Sequence, residues 1–342
     1  MAECTTRWYL IAVHHDATSA RPVRGRFAPS PTGDPHLGNA FTALLAWVSV
    51  RAQQGVFVLR MEDLDKPRER PGAAERILRA LRWLGLDWDE GPDVGGPFGP
   101  YVQSERLDLY EAAVRRLVEA GLAYECWCSR KEIAVVSAPH PGEEGPRYPG
   151  TCRTPDPTRA AARRAQGRLP SFRLRVPRGP IAFEDGVFGP QRIDVDAQVG
   201  DFVIRRADGF FAYQLAVVVD DAAMGITEVL RGEDLLSSTP RQLLLYEKLG
   251  LAPPRFLHVP LLLGPDGARL AKRHGAASLV ELMERGEDPR AVCGALATLA
   301  GLARDGERLT PRDLVARWDP ARLPRISLRI DPNAALFRTQ VA

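Results

Sequence analysis

The chain has 342 residues, 45% of them apolar and 26% charged, enough to bury the core of two ordinary domains and too apolar for a disordered chain. Lysine and arginine number 46 against 43 acids, a net charge of +3, so any polyanionic partner must be met by a local patch. Five unevenly placed cysteines (Cys4, Cys126, Cys128, Cys152, Cys293) exclude a secreted disulfide framework and point to a reducing cytoplasm. No apolar run approaches the ~18 residues of a membrane span.

Residues 1–22 predict a poorly ordered leader, because His14, His15 and Asp16 interrupt its one apolar run short of a signal peptide. Val23 to Phe27 predicts a short strand. The turn from Ala28 to Asn39 follows, too rich in Pro and Gly to be helix or strand. Phe41, Leu44, Leu45 and Val48 then recur at helical spacing until Gly55, and Val56 to Leu59 predicts a second strand. Strand, turn, helix and strand make a βαβ unit, hence parallel strands and an α/β nucleotide-type sheet. Pro71 is expected to open a helix at its first turn, and Ser104 to cap the next one. Helical period is lost from Ala123 to about Asp208, which predicts an insertion. The apolar stretch Phe210 to Val219, ending at Asp220 and Asp221, predicts a strand buried on both faces. Thr239 onward is expected to be helical, Val259 to Leu263 another strand, Gly264 to Gly267 a turn, and the remainder to about Ala303 helical.

Two features of this framework suit phosphate. His36 lies directly before a helix, whose free amide hydrogens and positive dipole end favour an anion. Gly33 and Gly38 allow close backbone approach there, and His36 can donate a ring hydrogen to a phosphoryl oxygen. Arg269-Leu270-Ala271-Lys272-Arg273 forms a basic loop in which Lys272 is a point charge for a polyphosphate. Only four lysines occur in the chain, Lys66, Lys131, Lys248 and Lys272, which gives a lysine in that loop added weight.

Arg26-Phe27-Ala28-Pro29-Ser30-Pro31-Thr32-Gly33, Leu59-Arg60-Met61-Glu62-Asp63-Leu64-Asp65, Tyr213, Asp220-Asp221, Arg231-Gly232-Glu233-Asp234 and the basic loop together resemble the catalytic core of glutamyl-tRNA synthetases. The resemblance runs from about Val23 to Ala303. Within that group the chain looks most like the glutamyl-Q tRNA(Asp) synthetases. It implies a class I aminoacyl-tRNA synthetase Rossmann-type catalytic domain with a parallel sheet, a zinc-bearing insertion and a helical C-terminal part. About 70 residues follow Arg273, fewer than the ~100 of an ordinary domain, so no anticodon-binding domain is expected. The expected divisions are 1–22, 23–122, 123–208 (insertion), 209–258 and 259–342.

The resemblance also implies roles. Arg26, Phe27, Ala28, Pro29, Ser30, Glu62, Tyr213 and Arg231 would bind glutamate, with arginine opposite the side-chain carboxylate and an acid near the ammonium. His36, Gly38, Asn39 and Lys272 would bind ATP, and His36 and Lys272 would be catalytic, with Mg²⁺ assisting. The attacking carboxylate is ionised at neutral pH, so no general base is needed. Asn39 stands where many class I enzymes have a second histidine, Arg269 replaces a usual lysine and Ala271 a usual serine. The partners implied are L-glutamate, ATP and the anticodon loop of tRNA(Asp) bearing queuosine, which accepts the glutamate on its base. Glutamate activation is expected without tRNA, by a monomer in the cytoplasm. The alternatives are charging of the 3′ end of tRNA(Glu), and a non-catalytic zinc-containing RNA-binding protein.

In the insertion, Cys126, Cys128 and Cys152 read as a zinc site. Their chemistry favours His140 as fourth ligand, whereas the resemblance implies Tyr148, from a Tyr-x-x-x-Cys spacing. One structural Zn²⁺ is expected on Cys126, Cys128, Tyr148 and Cys152, with His140 in reserve. Eight arginines between Arg153 and Arg178 against the single acid Asp156 are either an RNA-backbone patch or a solvated face.

Overall fold

The computed structural model describes residues 9–10, 22–129, 131–133, 147–268, 270 and 277–331. Lys272, Arg269, Ala271, Arg273, His140 and Cys4 lie outside the described residues.

The central element is a four-stranded, wholly parallel sheet. Tyr9–Leu10 is β1, and the central sheet starts with β2 (Arg24–Phe27). α1 (Leu37–Ala52) crosses over to β3 (Val56–Leu59), which pairs parallel with β2, Arg26 opposite Val58. This is the βαβ unit the sequence predicts. Eleven of the 16 residues of α1 are buried, Leu37, Phe41, Leu44, Leu45 and Trp47 among them. A helix apolar on nearly all sides has to lie inside a layered domain, and the largest core cluster forms around it.

After β3 come α2 (Ala73–Trp83) and α3 (Leu107–Glu119). Neither begins as the sequence suggests. α2 starts two residues after Pro71, with Gly72 as its left-handed N-cap (φ 69°). Ser104 does not cap α3, because its Oγ and backbone N–H both donate to Asp63, at 2.6 and 2.8 Å.

The insertion opens with β4 (Ala123–Cys126) and α4 (Pro157–Ala165), the latter capped by Asp156. β5 (Ser171–Leu174), the hairpin of β6 (Ile181–Asp185) with β7 (Gly189–Ile193), and β8 (Val203–Arg205) complete it. β4, β5 and β8 form an antiparallel sheet. Within the stretch expected as a leader, β1 pairs parallel with β6, Tyr9 opposite Ile181.

The clearest correction concerns Phe210 to Val219. The structure has α5 (Tyr213–Ala223) there, not a strand. A short apolar run cannot distinguish a buried strand from a buried helix by period alone. The outcome matters for chemistry. On a helix, Tyr213, Ala216, Val217, Asp220 and Asp221 follow one another at i, i+3, i+4, i+7 and i+8, so they share one face. Both aspartates are therefore buried where a strand end would have exposed them.

β9 (Glu228–Gly232), α6 (Thr239–Lys248) and β10 (Arg255–Val259) complete the central sheet in the order β10-β9-β2-β3, all parallel. The strand expected over Val259 to Leu263 is split. β10 stops at Val259, since Pro260 offers no amide hydrogen, and Leu262–Leu263 pairs separately with Leu328–Arg329. Gly264 to Gly267 is the expected turn, closed by a 3.0 Å bond from Gly267 N to Gly264 O. α7 (Leu279–Glu284) and α8 (Pro289–Leu299) supply the helical part that follows. Among the described residues no helix is long and apolar enough to cross a membrane.

Candidate active site and metal centre

Parallel sheets place their ligand crevices beyond the carboxyl ends of the strands. Arg26 and Phe27 end β2, Arg60 follows β3, and Arg231 stands near the end of β9. The loop after β2 is tied to the segment after β3: Arg60 N donates to Phe27 O (3.1 Å), and Glu62 N to Pro29 O (3.0 Å). Ala28 is half-buried, Pro29 buried and Ser30 exposed. Arg26, Glu62, Tyr213 and Arg231 are thus brought into one electrostatic neighbourhood: Tyr213 feels Glu62, Arg231 and Arg26, Glu62 feels Arg26, and Arg231 feels Tyr213 and Arg26.

Beneath them lies a buried charge lattice. Arg60, fully buried, donates to Asp221 (2.8 Å) and Glu62 (3.1 Å) and lies 3.6 Å from Asp220. Arg26 Nε donates to Asp221 at 3.2 Å. Asp220 also accepts from Arg106 (2.6 Å), Gln103 (2.7 Å) and Tyr110 (2.8 Å). Burial opposes ionisation of Asp221, but Arg26 and Arg60 hold its pKa below the usual carboxylate value. Burial dominates at Glu62 and raises its pKa, while Arg60 and Arg26 pull the other way. Tyr213 is likewise raised, by burial and then by Glu62.

Arg231 is the exception in this lattice. It is buried, and its partners are neutral: His258 Nε2 at 3.0 Å, Gln242 Oε1 at 2.7 Å, Thr239 Oγ1 at 2.8 Å and Leu235 O at 3.4 Å. Among the described residues no carboxylate forms an ion pair with it. Burial lowers its pKa, the cost of a desolvated cation without a counter-charge. A guanidinium in this state is chemically suited to pair with a carboxylate.

His36 is the N-cap of α1. Its Nδ1 accepts from Asn39 N (3.3 Å), and Asn39 Oδ1 accepts from His36 N (3.1 Å). This reciprocal capping box fixes the tautomer of the neutral ring, with the proton on Nε2. Asn39 therefore braces the histidine. Gly38 serves the same ring, since a Cβ there would stand 3.0 Å from His36 Cε1 and Nδ1. Gly33 has nothing within 4 Å of such a Cβ, so packing does not account for it.

The sulfurs of Cys126, Cys128 and Cys152 lie within 4.8 Å of one another. Cys128 Sγ is 3.6 Å from Cys152 Sγ, and Cys126 Sγ is 3.4 Å from Tyr148 Oη. A tetrahedral zinc site with Zn–S of about 2.3 Å separates its ligand atoms by roughly 3.5–3.8 Å, which the Cys128–Cys152 and Cys126–Tyr148 separations match and to which the three sulfurs together come close. Tyr148 Oη also accepts from Cys152 N at 2.8 Å. The hydrogen bond with Cys152 lowers the Cys126 thiol to about 4 against burial, helped by Arg173, and raises the Cys152 thiol, so the pair by itself holds a single thiolate, at Cys126. Cys293 is buried in the core cluster around α1.

The arginine patch divides. Arg159, Arg163 and Arg168 surround Glu132, Arg164 pairs with Glu125 and Arg153 with Asp201. Arg173 is buried against the Tyr148 ring, and Arg175 covers the Tyr124 ring. Most of this charge builds the insertion.

Sequence reasoning missed Arg106, Asp185, Gln242 and His258 as members of these networks. A histidine within the apolar strand Phe256-Leu257-His258-Val259 was the available signal.

Comparison with known proteins agrees with this architecture. Residues 22–319 match the family described as tRNA synthetases class I (E and Q), catalytic domain. The glutamyl-Q tRNA(Asp) synthetase of Symbiobacterium thermophilum is 57% identical over 308 residues, 90% of this chain and 95% of the relative. That of Nitratidesulfovibrio vulgaris is 53% identical over 303 residues, 88% and 94% of the two chains. The crystal structure of a glutamate tRNA ligase from Elizabethkingia meningosepticum, in complex with its amino acid, superposes with a TM-score of 0.79 at 30% identity, covering 90% of this chain and 67% of that one. The chain belongs to the class I glutamyl and glutaminyl tRNA synthetase family, within the branch of the glutamyl-Q tRNA(Asp) synthetases.

Proposed function

We propose that the protein activates L-glutamate with ATP as glutamyl-adenylate and transfers the glutamyl group to the queuosine base in the anticodon of tRNA(Asp). The observation that carries this reading is Arg231, a buried guanidinium held by neutral acceptors with no carboxylate paired to it among the described residues, in a chain 57% identical to a glutamyl-Q tRNA(Asp) synthetase.

In this reading Arg231 and Arg26 take the side-chain carboxylate of glutamate, Tyr213 contributes its hydroxyl and ring, and Glu62 takes the ammonium. Phe27 to Ser30 shape the wall. A glutamate α-carboxylate oxygen attacks the α-phosphorus of ATP, the bond to the bridging oxygen breaks, and pyrophosphate leaves with the electron pair. No proton has to be removed first. The protein's task is positioning and charge stabilisation. The amide end of α1, His36 Nε2–H, Gly38 and Asn39 face the phosphates, and Lys272 supplies a full positive charge. Mg²⁺ neutralises phosphate charge when bound.

Residues 23–122 and 209–258 form the two halves of the catalytic unit, with 123–208 as the insertion and 259–342 as the basic loop and helical region. Cys126, Cys128, Tyr148 and Cys152 would hold one structural Zn²⁺, which when bound would tie the start of the insertion to its middle. Reduced thiols, ATP and tRNA suit work in the cytoplasm.

The test has two stages. Labelled pyrophosphate should enter ATP in the presence of glutamate and without tRNA. Labelled glutamate should then enter queuosine-containing tRNA(Asp) and leave queuosine-free tRNA(Asp) unlabelled. Charging of tRNA(Glu) in its place would overturn the choice of acceptor, and absence of exchange would overturn the activation itself.

A further inference from the structure

Arg231 and His258 are register partners on the parallel strands β9 and β10. Arg231 Nε donates to His258 Nε2 at 3.0 Å. An arginine N–H can only donate, so His258 Nε2 presents its lone pair and the ring proton sits on Nδ1. Nδ1 is 2.6 Å from Asp185 Oδ2, which accepts that proton's hydrogen bond. Asp185 is itself fixed, because its Oδ1 accepts from the backbone N–H groups of Val187 (3.0 Å), Phe188 (2.8 Å) and His258 (3.3 Å). The His258 and Asp185 side chains are both 0% exposed. The carboxylate, ring and guanidinium form a line from the inserted hairpin to the crevice, and one tautomer satisfies all of it.

The arrangement differs from an ordinary buried ion pair. A carboxylate touching Arg231 would orient it and also neutralise it, competing with an incoming carboxylate. Here a neutral imidazole stands between the two charges. Gln242 repeats the device: it accepts from Arg231 Nη1 while its own amide donates to Gln214 at 2.8 Å. The second N–H of Nη1 has no partner among the described residues.

We propose that His258 and Asp185 are positioning residues for Arg231, holding its guanidinium aimed but uncompensated, and that they thereby set the preference for glutamate over the uncharged glutamine side chain. This rests on the reading that Arg231 receives the side-chain carboxylate.

Substitution at each link gives a distinct expectation. His258→Leu removes the acceptor and leaves a buried N–H of Arg231 unpaired. Asp185→Asn is subtler. The backbone N–H groups require an acceptor, so the amide oxygen turns to them and the amide nitrogen faces His258 Nδ1. That forces the proton onto Nε2, against the Arg231 N–H; the same tautomer fault disables a catalytic histidine whose aspartate is made asparagine. His258→Gln restores a carbonyl acceptor near the Nε2 position.

The measurement is pyrophosphate exchange, with KM for glutamate, KM for ATP and kcat/KM for glutamate against glutamine determined for each variant. His258→Leu and Asp185→Asn should each raise the glutamate KM on the order of tenfold and reduce the glutamate-to-glutamine ratio by a similar factor. KM for ATP should stay within about twofold, and His258→Gln should recover most of the loss. Unchanged glutamate KM and unchanged discrimination in Asp185→Asn overturn the proposal, as does an equal rise in KM for ATP. Asp185→Asn alters neither length nor volume, so it decides the question even if His258→Leu does not fold. Arg231→Ala separates the two levels. An unchanged glutamate KM there sinks the binding role of Arg231, whereas a raised one beside an unchanged Asp185→Asn sinks only the positioning.

Discussion

Acidification tests the neutrality of His258 through stability. Burial lowers its pKa from 6.5 to about 4; the hydrogen bond to Asp185 opposes that shift and the charge of Arg231 adds to it, while Asp185 and the nearby Asp234 favour the protonated form. A histidine whose folded pKa lies below its unfolded value binds fewer protons in the native state, so the native state loses stability as pH falls through that window. Between pH 8 and pH 5 a shift from 6.5 to about 4 amounts to about 2 kcal/mol, close to thirtyfold in the unfolding equilibrium. Asp185, held below its ordinary value although burial opposes this, stays ionised across that range in both states and adds nothing. The assay is urea unfolding at pH 8 and pH 5 for the natural protein and for His258→Gln. The other five histidines are common to both, so the difference between the two losses isolates His258. The natural protein should lose about 2 kcal/mol more than the variant. Equal losses would show that the ring titrates normally and would remove the argument for a fixed tautomer.

Arg60→Met should destabilise the fold by about 3–5 kcal/mol, because removing one member of a buried ionic group strands the others; chemical denaturation reads it, and Glu62, whose side chain bonds Arg60, should bring a raised glutamate KM with it. Gly38→Ala should change stability by no more than about 1 kcal/mol either way, since the gain in helix propensity is offset by the disturbed His36 cap. Its kcat in pyrophosphate exchange should nonetheless fall on the order of tenfold, since the new Cβ displaces the His36 ring; an unchanged kcat would place that ring outside the reaction. Cys152→Ser and Tyr148→Phe should each lower bound zinc, measured by elemental analysis of protein purified without chelator, from one equivalent toward zero for the cysteine and by a smaller amount for the tyrosine.

The parts of the fold legible in the sequence were those where punctuation and period agree. Ala28 to Pro35 marks a turn, α1 carries apolar residues on every side, and β2 and β3 flank them, so the parallel unit could be read directly. α5 could not, because Leu215 to Val219 is apolar throughout and only the buried Asp220 and Asp221 betray a helical face. Tyr213 and Arg231 were reachable through the joint resemblance. Asp185 and His258 were not. They are 73 positions apart, and their meeting depends on the inserted hairpin packing against β10, where Gly186 N donates to Phe256 O at 2.9 Å. The arginine-rich stretch misleads for a related reason: Glu125, Glu132 and Asp201, which engage most of it, stand outside the basic run.

Asp185 belongs to the hairpin of the insertion, yet its carboxylate reaches, through His258, a guanidinium near the carboxyl ends of the central strands. Two hydrogen bonds and one rigid ring separate that hairpin from the Arg231 guanidinium. The portion of the chain set apart from the catalytic sheet is therefore joined to the crevice by a chain of side chains, and a change in the hairpin's seat on β10 would reach Arg231 without any movement of the sheet.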